Sequence, residues 1–398
     1  MSGSILMTPQ AHAAGTVTIQ SQPGASFATL TEAVAAAVDG DTIIVSGEVV
    51  ESAIVTIDKN LTIKAAAGGG SVTGNAETVI QQTSGELVLG GGNDSEKLNL
   101  IQKGMRNNTA IAVHVLNGDF KMQPGVAISF DNDAKTQVGL GLGTNFSPSG
   151  SYPGHSITGA ISGGKIATSN PGDDKTDIKI AIVIREGVHL DSISGGNFYG
   201  QYQALSLQGA QGDQTPNIRE ITDGNFSNNA LDRHTVNVWN DAYIGTISGG
   251  HFEQKAKQPT GSTKGSAAFS LAYGGRIDVI SGGTFQAPTS ANQRAHQGLS
   301  IYGSYGRLPK LGKITGGTFS GDVGLWLDSR YRSGDDYNQM LDSITGGTFS
   351  GSESGDYGAG ILVDFRSRIG SIIGDLNSDG VTAVSYTHLR AHETPEHL

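Results

Sequence analysis

The sequence contains no cysteine, so disulfides and thiolate chemistry are excluded. Proline is scarce, at 11 of 398 residues, which argues against a Pro-rich disordered chain. Acidic residues outnumber basic ones by 37 to 26, and the formal net charge is −11. This balance argues against nucleic acid or an anionic membrane as the main partner. No stretch is long and apolar enough to predict membrane insertion.

Glycine, in contrast, is abundant, and much of it lies in a repeated motif. The 59 glycines are about twice the usual share. In chain order, the motif has an aliphatic residue, two variable residues and an Ile. A position that is Ser or Thr follows, then a Gly-Gly or Asp-Gly pair, one variable residue and a Phe. Its phenylalanines follow one another at intervals of 26 to 34 residues, the period of a stacked structural repeat. The copies occupy residues 190–198, 218–226, 244–252, 277–285, 311–319 and 341–349.

The segments between the copies favour β-structure. Each contains a short run in which apolar and small or polar residues alternate, as in half-buried strands. These runs are 204–207, 235–238, 268–271, 298–301, 324–327 and 360–363. We predict an all-β fold, a single-stranded right-handed parallel β-helix with coils of about 26–34 residues, in which Gly-Gly forms corners that need positive φ. Ile193 and Phe198 would then belong to interior ladders with a spacing of about 4.8 Å.

Residues 15–66 are predicted to form an N-terminal cap and the first coil. Thr29 and Glu32 form a capping box, and Gly40 is a candidate C-terminal stop for one amphipathic helix. An amphipathic helix at this place would cover the open end of the β-helix. The apolar face of the helix is formed by Phe27, Leu30, Val34 and Val38.

These segments also carry a family resemblance. Residues 27–34, 40–45 and 55–63 resemble the N-terminal cap and first coil of right-handed β-helix proteins of the pectate-lyase-like superfamily. The Gly-Gly-x-Phe repeats resemble those of bacterial surface proteins. The resemblance spans nearly the whole chain and implies the fold. It does not fix an activity, because the superfamily contains lyases, hydrolases and non-catalytic adhesins.

The two ends differ in character from the repeats at 67–383. Residues 1–14 resemble the remnant of a signal peptide, because Ala11-His12-Ala13 has the form of a signal-peptidase site; the alternative is a chance match in an Ala-rich stretch. We therefore expect a secreted or cell-surface protein. Residues 384–398 lack glycine and periodicity and resemble translated sequencing-adapter read-through, and a genuine polar tail is the alternative.

Catalytic signatures of related folds were sought residue by residue. Polygalacturonase-like enzymes carry Asn-x-Asp, paired Asp, Gly-His-Gly and Arg-x-Lys signatures. Here the pair Asp173-Asp174 lies in a turn-like context, and no Gly-His-Gly or Arg-x-Lys follows. No catalytic residue is therefore assigned.

The strongest candidate site repeats Asp-x-Arg after the same strand of two neighbouring units. Stacking of the coils would bring the two Asp-x-Arg pairs into one patch that is suited to sugar binding. Pectate-lyase-like chemistry would need more carboxylates than these to bind calcium. The alternative is an Asp-Arg salt-bridge ladder. Trp239, beside Arg233-His234, is a weaker candidate. The candidate glycan-binding residues are Trp326, Asp328, Arg330, Asp364 and Arg366.

A calcium loop near the C-terminus is a weaker hypothesis. The segment matches the first half of an EF-hand or dockerin loop, but its twelfth position is Tyr386 instead of an acid. The competing interpretation is a further coil, in which Ile369 and Ile372 take the places of Leu341 and Ile344. The candidate calcium ligands are Asp375, Asn377 and Asp379.

Together these observations favour a monomeric adhesin or glycan-binding module without catalytic activity and without a required cofactor. Its expected partner is a polysaccharide or a cell-surface glycan. One alternative is a polysaccharide lyase or glycoside hydrolase that acts on acidic polysaccharide along the flank of the solenoid. Another is a structural stalk.

Overall fold

The structure, a computed structural model, describes most of the chain. The described residues are 15–143, 156–168, 178–210, 212–213, 215, 217–256, 265–289, 296–303, 307–329, 338–352, 359–365 and 367–373. The helix is α1 (Leu30–Ala36), and the strands are β1 (Thr16–Ile19), β2 (Asp41–Glu51), β3 (Val55–Ile57), β4 (Leu61–Gly74), β5 (Thr78–Gln82), β6 (Glu86–Leu89), β7 (Leu98–Gln102), β8 (Thr109–Val115), β9 (Gly118–Met122), β10 (Val126–Phe130), β11 (Thr136–Leu142), β12 (Ile157–Ile161), β13 (Lys165–Ala167), β14 (Ile178–Ile184), β15 (Val188–Tyr199), β16 (Gln203–Gln208), β17 (Ile218–Asn228), β18 (Val236–Trp239), β19 (Tyr243–Ile247), β20 (His251–Gln254), β21 (Ser266–Ala272), β22 (Arg276–Ile280), β23 (Thr284–Gln286), β24 (His296–Gly303), β25 (Lys310–Ile314), β26 (Thr318–Ser320), β27 (Val323–Ser329), β28 (Asn338–Ile344), β29 (Thr348–Ser350), β30 (Ala359–Phe365) and β31 (Ser367–Ile372).

These strands form a parallel β-solenoid, which confirms the predicted all-β fold. Eleven strands stack into one sheet, here called the short sheet: β3, β5, β8, β11, β14, β16, β18, β21, β24, β27 and β30. The other twenty strands form the long sheet. A coil contributes one strand to the short sheet and then two to the long sheet, as in β18, β19 and β20. The right-handed sense of the coil stays a prediction.

The interior of the solenoid is built from ladders of equivalent side chains. Ile193 and Phe198 are both buried, as predicted, and pair in register with Ile221 and Phe226 of the next coil. The centroids of successive phenylalanine rings are 4.7 to 5.1 Å apart. Each rung removes apolar surface from water, and this burial drives the stacking of coils. The ladder consists of Phe198, Phe226, Phe252, Phe285, Phe319 and Phe349.

The Gly-Gly corners also follow the prediction, but only the second glycine has the left-handed backbone. Its φ lies between +94° and +121° in all six copies of the motif, where a side chain would be strained. The first position needs no such conformation, and it is occupied by Asp223 in one copy. The φ values belong to Gly196, Gly224, Gly250, Gly283, Gly317 and Gly347.

The N-terminal helix is present, although it is shorter than predicted. The capping box of Thr29 and Glu32 is formed, and the buried Glu51 carboxylate accepts hydrogen bonds from the Leu30 backbone N–H and the Thr31 hydroxyl. The predicted stop at Gly40 is wrong, because α1 ends at Ala36 and the chain is already extended at the next residue. Val38 consequently lies outside α1, and it is exposed. That α1 covers the end of the solenoid stays a prediction.

None of the helices formed by the described residues is long and apolar enough to cross a membrane.

Candidate functional site

The two aspartates of the predicted Asp-x-Arg patch lie on the outer side of the short sheet. β27 and β30 are parallel neighbours, and their register places Asp328 beside Asp364 and Trp326 beside Leu362. Leu327 points into the core, so the residues on either side of it point away from the core. Stacking therefore brings the two aspartates together, as the repeat spacing predicted.

The members of this patch differ in exposure. Asp328 is fully buried, whereas Asp364 and Trp326 are half-buried. Trp326 packs against Val323 and Leu362, and its indole N–H is enclosed without a hydrogen-bond partner among the described residues. Outside the described residues lie Arg330 and Arg366, and so do the calcium candidates Asp375, Asn377 and Asp379. The Asp-Arg pairing and the calcium site accordingly stay predictions. β31 bears out the competing coil interpretation, because Ile369 and Ile372 pair with Leu341 and Ile344.

The row that holds Asp328 continues along the short sheet. Strand pairing places Trp239 two coils before Tyr302, and Tyr302 directly beside Asp328. Equivalent positions in neighbouring coils are about 4.8 Å apart. Tyr302, Asp328 and Asp364 therefore follow one another at regular steps, and Ala272 lies between Trp239 and Tyr302. The sequence analysis singled out the tryptophan and the aspartates but missed Tyr302. The signal was available, because Tyr302 lies one residue beyond the inward-facing Ile301 of a predicted strand.

A separate pocket, with a volume of about 260 Å³, lies on the outer side of the long sheet. It crosses β13, β15, β17 and β20, four strands that are stacked directly on one another. Three steps of about 4.8 Å give it a length of roughly 14 Å. This pocket is here called the long-sheet pocket. The residues that line it are Lys165, Ile166, Asn197, Phe198, Tyr199, Asn225, Phe226, Ser227, His251, Glu253 and Lys255.

The long-sheet pocket is built from two outward rows on either side of the inward Phe ladder. Both rows follow from strand alternation, since residues on either side of a buried phenylalanine point outward. The first row is the variable position before Phe in the repeated motif. The first row contains Lys165, Asn197, Asn225 and His251, and the second contains Ala167, Tyr199, Ser227 and Glu253.

Basic groups outnumber acidic ones in the pocket. Glu253 is the only carboxylate among the described residues that line the pocket, and its Oε2 lies 3.3 Å from Lys255 Nζ and 3.9 Å from His251 Nε2. Lys165 is exposed and makes no ion pair with another described residue. A local excess of positive charge on a chain with a net charge of −11 favours an anionic ligand here.

The pocket also offers neutral hydrogen-bonding groups. Asn225 Nδ2 donates to Asn197 Oδ1 at 2.9 Å, which leaves a carbonyl acceptor on Asn225 and an amino group on Asn197. Burial raises the pKa of the half-buried Tyr199 phenol above its usual value, so the hydroxyl keeps its proton at neutral pH. Amide and hydroxyl groups with a partly exposed ring suit a polyhydroxylated ligand.

The sequence analysis missed this pocket for a specific reason. It treated the residue before Phe as variable, although that position faces the solvent in every coil. One copy of the motif was also overlooked: Ser162-Gly-Gly-Lys-Ile166 carries Ile in the place of Phe, and it supplies Lys165. A search that allowed any apolar residue at the ladder position would have found it.

Two features that could indicate catalysis, a metal-binding cluster and a Ser-His pair, do not form a site among the described residues. Within the described ranges, no group of three or more His, Cys, Asp or Glu side chains could hold a metal ion. Ser266 Oγ lies 2.9 Å from His296 Nδ1, and Asp322 accepts a hydrogen bond from the His296 backbone N–H. Ser266 and His296 have no exposed surface, so this contact belongs to the packing of adjacent coils.

In comparisons with known proteins, no family model, no curated protein and no solved structure matches the chain.

Proposed function

We propose that this protein binds a glycan chain in the long-sheet pocket and does not cleave it. The observation that carries the proposal is the composition of the pocket: two asparagine amides, a tyrosine and three basic side chains on four stacked strands. Such a row offers regularly spaced contacts to a polymer with its own repeat. The basic groups favour glycans that carry carboxylate or sulfate.

Binding suits the pocket better than cleavage does. Glycoside hydrolysis ordinarily requires two carboxyl groups on either side of the scissile bond. Among the described residues the pocket has one carboxylate, that of Glu253, and both His251 and Lys255 lie within 4 Å of it. Cleavage by a lyase reaction would require a base next to a bound cation, or next to another positive group that neutralises the substrate carboxylate. Binding needs only the hydrogen bonds and the charge that the pocket already presents.

The biological setting belongs to the same proposal. A glycan-binding solenoid would meet its ligand outside the cell, in keeping with the signal-peptide-like residues 1–14. Membership of the pectate-lyase-like superfamily rests on the resemblance of the N-terminal cap and first coil, and a role as a bacterial surface adhesin rests on the resemblance of the repeats. The remaining alternatives are enzymatic cleavage and a stalk without a ligand.

The test is a binding panel with the full chain. Polygalacturonate, alginate, hyaluronan, chondroitin sulfate and a neutral glucan are titrated against the protein, with and without calcium. New reducing ends and unsaturated products are assayed in the same samples. We expect at least one acidic glycan to bind without product. Lys165→Ala combined with Lys255→Ala should weaken that binding about 10- to 100-fold, since charge-assisted hydrogen bonds are lost.

The matched control is Lys97→Ala combined with Lys313→Ala, which removes the same number of positive charges from exposed positions outside the pocket. It should leave affinity within about twofold. Equal losses in the control and the pocket variant would show that the effect comes from net charge alone. Product formation would favour the enzymatic alternative, and a folded protein that binds no member of the panel would favour the stalk.

A further inference from the structure

Tyr273 has an unusual backbone conformation. Its φ is +46°, in the left-handed region that bulky residues rarely adopt. The other described non-glycine residues with positive φ are all Asn or Asp, whose side chains tolerate this region: Asn107, Asn108, Asp232, Asn240 and Asp241. Strained residues of this kind cluster at functional sites, and an observed outlier is a reason to look for one.

The strained turn directs Tyr273 toward another aromatic side chain. The Tyr273 and Tyr302 rings meet edge to face, with centroids 5.9 Å apart and an interplanar angle of 76°. Both rings are half-buried and therefore keep some exposed surface. Trp239 belongs to the same outward row as Tyr302, two coils away. Three aromatic residues thus lie at one corner, where strands of the short sheet end.

A polar pair adjoins the aromatic residues. Arg307 Nη1 donates to Asp241 Oδ2 at 2.8 Å, and the Arg307 side chain is 44% exposed. The Asp241 carboxylate packs directly against Gly274, the residue after Tyr273, because a Cβ on that glycine would lie 2.1 Å from Asp241 Oδ1. The Asp241 backbone N–H also donates to the Tyr273 carbonyl at 3.3 Å. These contacts join four residues, Tyr273, Tyr302, Asp241 and Arg307, in what we name the corner platform.

We propose that the corner platform is a second saccharide-binding site, which stacks the C–H face of a neutral pyranose ring on the tyrosines. Aromatic rings present large rigid apolar surfaces that lose little entropy on binding. The adjoining carboxylate and guanidinium accept from and donate to ring hydroxyls at the edge of the stack. Opposite charges cancel at this pair, so the platform has no excess charge that would favour an anionic sugar.

The strain at Tyr273 supports a binding role over a packing role. Glycine would adopt this left-handed conformation without strain, so a turn that needed only the backbone conformation would favour glycine at this position. The cost of a tyrosine here is offset only if its side chain has a role. Here the left-handed turn keeps a partly exposed ring against Tyr302. The inference shares the class of ligand with the proposed function, but none of its residues, because the long-sheet pocket lies on the other sheet.

The experiment measures affinity and thermal stability together. β-1,4-linked hexasaccharides of glucose, mannose and xylose are titrated calorimetrically against the full chain and its variants. We expect at least one of them to bind. Tyr273→Gly should lower its affinity tenfold or more while Tm stays the same or rises, because the ring is lost and the strain relieved. The matched control is Asn240→Gly, which relieves positive φ at the neighbouring coil without removing an aromatic ring, and it should keep wild-type affinity.

The outcomes separate this inference from the proposed function. Lys165→Ala should leave neutral hexasaccharide binding unchanged, even if it weakens binding of acidic glycans. Failure of all three hexasaccharides to bind, or undiminished affinity in Tyr273→Gly, would overturn the corner platform. If Tyr273→Gly lowers both affinity and Tm, the affinity of Arg307→Ala distinguishes a binding role from a folding role. The Arg307 side chain is 44% exposed, so its removal should affect folding little. Loss of affinity in that variant supports the platform, and retention overturns it.

Discussion

His234 shows how one partly buried contact makes stability depend on pH. Its Nδ1 accepts a hydrogen bond from the Ala267 backbone N–H at 3.0 Å, so a proton there would replace an acceptor with a second donor. Burial, together with the neighbouring Arg233 charge, lowers the pKa of His234 from 6.5 to about 4. The neutral imidazole is therefore part of the folded structure.

We expect His234 to weaken the fold as the pH falls. Between pH 6.5 and about 4 the unfolded chain binds a proton at this residue and the folded chain does not, so the free energy of unfolding decreases over that window. Between pH 7 and pH 4 this shift corresponds to a loss of about 3 kcal/mol. His234→Asn keeps an acceptor near the Nδ1 position but cannot titrate. Urea unfolding at pH 7 and pH 4 should show a smaller loss in the variant by that amount, and equal losses would contradict the assignment.

At the same scale, the sequence predicted which residues are inside better than it predicted which are accessible. Repetition alone identified Ile193 and Phe198 as ladder residues, because a solenoid requires the same packing in every coil. Alternation also places Asp328 on the outer side of its strand, yet the residue is fully buried. Alternation determines the side of the sheet to which a side chain belongs. It does not determine whether other residues cover that side of the sheet.

At the scale of strands, small residues fix the approach of one sheet to the other. The residue directly before the first inward-facing residue of the short-sheet strand is glycine in the last three coils, at Gly298, Gly324 and Gly360, and alanine in several earlier coils. A Cβ at Gly324 would lie 2.6 Å from the Gly360 carbonyl oxygen and 2.8 Å from that of Phe319. Both contacts are with backbone, which cannot move aside as a flexible side chain would.

Gly324→Ala should therefore destabilise the protein although the new side chain is a single methyl group. Overpacking against backbone costs about 1 to 3 kcal/mol. The matched control is Gly91→Ala, whose Cβ would meet chiefly the end of the flexible Glu96 side chain. Urea unfolding should show a clear loss for the first variant and little change for the second. Similar free energies of unfolding for the two variants would show that the backbone around Gly324 moves aside at little cost.

The sequence predicted the strands and the start of the helix better than it predicted the end of the helix or the pocket. The alternating runs and the capping box at Thr29 were found, because both signals are local. The end of α1 was missed, since the apolar spacing continues to Val38 although the chain is already extended at Ala37. The long-sheet pocket depended on register among coils. Lys165 and Lys255 line one pocket only because β13, β15, β17 and β20 stack in register, and that register is visible in the sequence only once Ile166 is recognised as a rung of the Phe ladder.

At the scale of the whole molecule, the solenoid is a one-dimensional array. Each coil pairs with the coils before and after it, so stability should be a sum of coil terms and nearest-neighbour interfaces. The Phe ladder makes this measurable. Phe285 stacks directly on Phe319 with ring centroids 4.7 Å apart, whereas Phe226 and Phe252 lie between Phe285 and Phe198.

We therefore expect energetic coupling only between adjacent rungs. In a double-mutant cycle, Phe285→Leu and Phe319→Leu should show a coupling energy of about 1 kcal/mol, because each replacement changes the packing of the other. Phe285→Leu and Phe198→Leu should be additive to within about 0.5 kcal/mol, since they share no contact. The free energies come from urea unfolding monitored by circular dichroism. Equal coupling in the two cycles would mean that the coils respond as one cooperative core, and nearest-neighbour reasoning about separate binding sites on separate coils would then fail.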